Sequence, residues 1–242
     1  MKYRVFCFEC QENNREIEAC FMDVQFRDDG VYLTTCPQGH EINMVLQNEH
    51  FEILLNLGMN AFLEGYFREA VVNMASSLER FYEFYIELTT LKSGVEPAAF
   101  DQSWQPISNQ SERQLGAFIF LYTLNNKKTP NLLPSAQINF RNEVIHKGHI
   151  PEETKVLEFC DAVFMLLRSY ILELHDKEPE AVQTVRRRHV YQKHERAKFK
   201  NTSVSVAPTI FNLANTGEPH SRHDSFLSAL AEFREWKERI YL

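Results

Sequence analysis

Glycine and proline are scarce in this chain, 8 and 9 in 242 residues. So few turn formers argue against an all-β fold and against a disordered or collagen-like chain. Long apolar runs are missing too. The most apolar long stretch, Val156 to Leu174, is broken by Glu158, Asp161, Arg168 and Glu173. It therefore reads as a buried amphipathic helix, not a membrane span. The start, Met1-Lys2-Tyr3-Arg4, has no apolar export segment, so the expected setting is the cytoplasm, with no membrane partner. The five cysteines are an odd number, and three fall early at spacings that suit a metal better than disulfides. A reducing compartment is the natural setting.

What is present is apolar bulk. Hydrophobic residues make up 44% and aromatics 12%, with 19 Phe, enough for a packed interior of bulky helix–helix contacts. The length allows one generous domain or a core domain with small additions. A net charge of −7 would discourage nonspecific nucleic-acid binding if it were spread evenly. It is not. From Arg186 to Lys200 seven Lys or Arg face Glu195 alone, so that segment carries +6 and the rest of the chain −13.

Residues 1–46 read as a separate β unit. Tyr3 to Phe6 is a short strand entering Cys7-Phe8-Glu9-Cys10. Ile17, Ala19, Phe21, Val24 and Phe26 suggest one or two strands, Asp29-Gly30 is a turn signal, and Val31 to Leu33 is a further strand ending at Cys36. A unit this small needs a staple. Cys7 and Cys10, with Cys36 and His40 across Pro37-Gln38-Gly39, supply one, since a tetrahedral Cys3His set is a common structural zinc site. The arrangement looks like a zinc ribbon in which His40 departs from the usual second CxxC, and Cys20 is the reserve ligand. Free thiols or a redox CxxC are the other readings; the lack of a following helix weakens the second. Four protein ligands leave no open position, so the metal is expected to be structural.

From Asn48 the pattern is helical. One helix ends near Gly65, and a second runs from about Phe67 to Leu91. Val95 to Ser108 is expected as a loop with a short turn, and a third helix spans Ser111 to Leu124. A fourth starts at Pro134 or Ser135 and ends at Gly148. The fifth has Pro151 in its first turn and reaches Leu174. Cys160 is expected in the core of that helix. Beyond Pro179 a basic helix runs to about Lys200, one or two strands are expected over Thr202 to Leu213, and a closing amphipathic helix over Ser225 to Ile240. Arg186, Arg187, Arg188 and Lys193 are the expected RNA contacts, with Tyr191 and Phe199 as candidate stacking groups. The competing reading is a solvated face that balances acidic surface elsewhere.

The fourth helix carries the run Asn139-Phe140-Arg141-Asn142-Glu143-Val144-Ile145-His146-Lys147-Gly148. Arginine holds phosphate oxygens through fixed paired donors, histidine moves a proton near neutral pH, and an amide orients either partner. Asn142 and His146 share a helix face. Arg141 lies about 140° round from His146 at roughly 100° per residue, so only its long stem can bring its head to the same place. His146 falls in a last turn, where the dipole favours the imidazolium. Caps or surface charges would leave the same residues. Glu79 is expected either to form an exposed salt bridge or to tune His146.

The motif, together with Phe62 to Val72 and Ser76 to Glu79, resembles the HEPN family of small α-helical proteins, over roughly Asn48 to His175. Arg141, Asn142 and His146 match the family's Arg, polar residue, three variable residues, His pattern. The resemblance implies a HEPN-like helical bundle. The small β zinc ribbon over 1–46 and the C-terminal α/β extension from about 177 are not explained by it. The whole is expected to be mainly α, with the helical domain and its extension over 47–242. The resemblance also implies a homodimer bringing two motifs into one cleft, and metal-independent RNA cleavage in a toxin or antiviral effector, with Arg141 stabilising phosphate charge, His146 as acid or base and Asn142 orienting. A regulatory protein partner belongs with such a role. Two other readings compete: a non-catalytic module binding RNA or a protein partner, and a DNA-binding regulator, which has no recognition-helix signature to support it.

Overall fold

Apolar residues at three-to-four spacing, Val71, Met74, Leu78, Phe81, Tyr85 and Leu88, dictate a 26-residue helix around which most of the others pack. The computed structural model describes residues 1–12, 21–197, 202–214 and 223–239. The chain runs β1 (Lys2–Phe6), α1 (Phe8–Glu12), β2 (Phe21–Gln25), β3 (Val31–Thr35), β4 (Glu41–Leu46), α2 (His50–Leu63), α3 (Phe67–Lys92), α4 (Pro97–Trp104), α5 (Ser111–Asn126), α6 (Ser135–His146), α7 (Glu153–Lys177), α8 (Pro179–Ala197), β5 (Ser203–Ser205) and α9 (Phe226–Arg239). The described residues are mainly helical, with a small β portion at the N-terminal end.

Helix α3 packs against α2, α5, α6 and α7. The abundant aromatics meet here. Phe81 of α3 stacks on Tyr170 of α7 with centroids 5.5 Å apart, and Tyr82 lies 4.3 Å from Phe118 of α5. Helices α2 and α3 approach so closely that a Cβ at Gly58 would sit 2.9 Å from Met74 Cγ. That contact is the reason a glycine is tolerated inside α2. Cys160 is fully buried in α7, as expected.

Strands β1 and β2 pair antiparallel, with Tyr3 opposite Val24. A second sheet has the order β3-β4-β5. Strand β4 was not anticipated, although Ile42, Met44 and Leu46 alternate and are buried. Its parallel neighbour β5 comes from the C-terminal extension, with Val45 opposite Val204. The segment 1–46 thus shares its sheet with residues far along the chain.

The strands expected over Thr202 to Leu213 shrink to β5 alone. Side chains replace a ladder there. Asn48 exchanges bonds with both backbone groups of Ala207, accepting from its N–H at 2.7 Å and donating to its carbonyl at 3.1 Å. Glu52 accepts the Leu213 N–H at 2.6 Å, and Asn56 accepts the Ile210 N–H at 3.2 Å. These three residues, spaced by four, satisfy buried backbone that would otherwise be unpaired. Burial pushes the Glu52 carboxyl up to about 7, with the Leu213 bond pulling the other way.

Smaller departures have local causes. The expected loop after Val95 contains α4, with Pro97 as its first residue. A single-turn helix, α1, does follow Cys7. Glu152 takes the N-cap of α7, so Pro151 lies outside that helix instead of in its first turn. Ile17, Ala19, Cys20, Lys198, Phe199, Lys200 and Ile240 lie outside the described residues.

Helix α8 is held by ions. His189 sits between Glu49, 2.8 Å from Nδ1, and Glu87, 2.9 Å from Nε2. Both ring nitrogens face carboxylates, which only an imidazolium can serve as a double donor. Burial alone would lower its pKa; Glu49 and then Glu87 reverse this and push it up to about 10.

Two outcomes follow from this packing. Asn48→Ala leaves the Ala207 N–H and carbonyl buried and unpaired, and should cost about 1–3 kcal/mol in a urea titration. His189 binds its proton more tightly folded than unfolded, so its contribution is complete below its ordinary value of about 6.5 and is lost as pH rises through about 10. Stability of the wild type should therefore fall from pH 7 to 10 more steeply than that of His189→Gln; parallel curves would refute the imidazolium bridge.

Candidate functional site

Buried Val144, with Phe140 packed 5.8 Å from Phe159 of α7, fixes the rotation of α6. This rotation turns Arg141, Asn142 and His146 toward one groove of about 930 Å³. Glu79 and Tyr82 of α3 and Arg113 of α5 also line it. The long Arg141 stem does bring its head to the groove that Asn142 and His146 share. Gly148, at φ +69°, ends the helix, and the His149 N–H turns back to the Glu143 carbonyl at 3.2 Å. His146 is thereby the last residue of α6, exposed at the groove.

The Arg141 guanidinium donates to Asn142 Oδ1 at 3.0 Å and to the Glu79 carboxylate. That pair is half-buried, each side chain retaining 26% exposure, so Glu79 acts inside the groove and not on an open surface. A guanidinium has five N–H donors, and these two bonds leave the remainder for a phosphate oxygen. Burial raises the Tyr82 hydroxyl well above its ordinary value, and Glu79 adds to the effect, so it stays a neutral donor in the groove wall. The groove thus presents a fixed cation, an exposed imidazole and an orienting amide.

A second cluster stands in the β portion. Cys7, Cys10, Cys36 and His40 have ligand atoms all within 4.8 Å of one another, the three cysteines buried. His40 Nδ1 lies 3.2 Å from Cys10 Sγ, 3.5 Å from Cys36 Sγ and 3.6 Å from Cys7 Sγ, and Cys10 and Cys36 sulfurs are 3.7 Å apart. A tetrahedral ion with metal–sulfur bonds of about 2.3 Å has sulfur–sulfur edges of about 3.7 Å. The donor set fits such an ion without rearrangement. The Gln38 N–H points at Cys36 Sγ from 3.3 Å. Although burial opposes it, backbone N–H groups of His40 and Gln38 bring the Cys36 thiol down to about 7, the preparation a thiolate ligand requires. His40 Nε2, the ring nitrogen not facing the sulfurs, lies 3.7 Å from the Glu9 carboxylate. The one-turn helix α1 places Cys10 for this set, while the reserve ligand Cys20 lies outside the described residues.

The basic helix does not present the expected row of phosphate contacts. Arg186 is fully buried and donates to the Leu213 carbonyl at 2.7 Å. Lys193 is buried and its ammonium donates to the carbonyls of Leu46 and Asn48 at 2.8 and 3.1 Å. Arg188 is paired with Glu87 and, at 2.6 Å, with Asp101. Of the four, Arg187 is exposed. The correction has a plain physical cause: the acidic residues inferred to lie elsewhere, Glu87 and Asp101 among them, are the partners α8 packs against. Tyr191 is exposed at 64% and anchors nothing. The Glu49–His189–Glu87 bridge was missed because its members are distant in sequence, and only the acid–base imbalance hinted that such pairing must occur.

No family model, curated protein or solved structure matches this chain.

The Cys7, Cys10, Cys36 and His40 cluster makes a direct prediction. The purified protein should carry one metal equivalent per chain by elemental analysis, reduced in His40→Ala and Cys36→Ser. Its melting temperature should drop on chelation. An unchanged metal content in both variants would sink the assignment.

Proposed function

We propose that this chain is a HEPN-type, metal-independent endoribonuclease whose site is the groove of Arg141, Asn142 and His146. The observation that carries the reading is that side chains of all three motif residues line a single open groove. The ribose 2′-oxygen attacks the adjoining phosphorus while the bond from phosphorus to the 5′-oxygen breaks. The products are a 2′,3′-cyclic phosphate and a 5′-hydroxyl. One proton leaves the 2′-hydroxyl and one arrives on the departing 5′-oxygen, and His146 serves in one of these transfers. Arg141 stabilises the charge that builds on the phosphate oxygens, Glu79 and Asn142 hold its guanidinium in place, and requirement for the 2′-hydroxyl restricts the reaction to RNA.

The reading includes a homodimer in which the second motif supplies the other proton transfer. Ile138 and Leu132, both exposed at the groove, are apolar surface that a second copy would cover. The metal is proposed to be zinc in a structural role, because four protein donors close its coordination sphere. A cytoplasmic toxin or antiviral effector is the setting this activity suits.

One observation favours a second reading. The Glu79 carboxylate already neutralises Arg141, as it would in an inert RNA- or protein-binding module. Incubating the protein with total RNA in EDTA, with cluster metal content checked in parallel, separates the two. Wild-type cleavage that falls a hundredfold or more in His146→Ala is the expected result. Intact RNA with both proteins would overturn the enzyme reading.

A further inference from the structure

A neighbouring face of α3, that of Arg80, Glu83, Phe84 and Glu87, lines a cavity of about 340 Å³ together with the start of α2, α4 and α8. Its volume falls in the range of small-molecule pockets, roughly 300–1,000 Å³. The aromatic wall is the stacked pair Phe100 and Trp104, centroids 5.9 Å apart and rings within 17° of parallel. The Arg188 guanidinium already covers Phe100 at 5.9 Å, which leaves the half-buried Trp104 indole as the surface for a second ring.

The charges of the cavity divide into spent and available. Arg188 is taken by Glu87 and Asp101, His189 by Glu49 and Glu87, and Lys193 by two carbonyls. Two further cations line the cavity, Arg196 and Arg80. Arg196 is exposed and has no ion-pair partner among the described residues. Arg80 is paired with Glu83 at 2.9 Å, and that pair leaves guanidinium N–H donors over for an anion. The Gln192 amide lines the same wall; its oxygen accepts from Arg188 at 3.2 Å, which leaves its NH2 group as a donor. A flat ring surface, an amide edge, the exposed Arg196 and the spare donors of Arg80 match a planar heterocycle carrying an anionic group.

We propose that this cavity binds a nucleoside monophosphate unit, its base against Trp104 and its phosphate on Arg80 and Arg196. The unit can be a free mononucleotide or one residue of an RNA strand, and either source is independent of the motif groove.

The chain has two tryptophans, so a Trp236→Phe background makes emission report on Trp104. In that background AMP, GMP, CMP and UMP are titrated separately, beside a short single-stranded RNA lacking terminal phosphates, with equilibrium dialysis as a second measure. Saturable quenching by a mononucleotide is expected, about ten times weaker in Arg196→Ala and unchanged in Arg141→Ala. Trp104→Ala should weaken binding by dialysis about five- to hundredfold, the range for a lost base–aromatic stack. Quenching by the RNA alone assigns the strand as the source. Inorganic phosphate competing as strongly as any nucleotide would overturn base recognition. Absence of saturable binding by either measure, in protein of wild-type helical content, would overturn the site. Binding abolished in Arg141→Ala would move it to the motif groove.

Discussion

Helix α3 is buried along most of its length, and a charge on such a helix is tolerated only where it meets an opposite charge or a hydrogen-bond partner. Two of its carboxylates impose this condition on the rest of the molecule. Glu79 meets Arg141, and Glu87, about two turns on, meets both Arg188 and His189. Helix α6 with its motif and helix α8 with its basic run are therefore positioned by the same requirement. Each brings the cations that α3 needs, and the groove and the cavity are the spaces left beside those pairs.

This arrangement reassigns the basic helix. Three of the four groups that read as free for phosphate are consumed: Arg188 holds α8 to α3, Lys193 holds it to the end of β4, and Arg186 holds Leu213. Lys193 passes close to Gly30, where a Cβ would lie 3.3 Å from its Cε, to reach the carbonyls at the end of β4. Together with β5, which pairs with β4, and the Asn48, Glu52 and Asn56 contacts, it ties the sheet beside the Cys/His cluster to the helices. The cluster is thus built into the helical body by the last fifth of the chain, not hinged to it as a free appendage.

Much of the helical layout was legible because it follows from local pattern. The spacing of Val71, Met74 and Leu78 gives α3, and Gly148 after His146 stops α6 where a glycine stop was expected. The CxxC and the Cys36 to His40 interval were legible as ligands because metal geometry constrains residue type at short range. The β4 alternation of Ile42, Met44 and Leu46 was present but too brief to stand out. The strap over 206–213 was not legible, since its hydrogen-bond partners are side chains some 150 residues away. Charge counting misled for a related reason: it records how many cations a segment has, not which of them are already paired.

By itself, then, the sequence determined the helical character of the chain, the ligand set of the cluster and the presence of arginine, asparagine and histidine within one turn and a half of helix. These depend on periods of a few residues. Tertiary structure alone decided that Arg141 shares a groove with Glu79, that Arg186 and Lys193 are interior, and that Trp104 lines one cavity with Arg80 and Arg196. Such facts depend on which distant surfaces exclude water together, and electrostatic pairing across that dry contact is settled only when the elements meet.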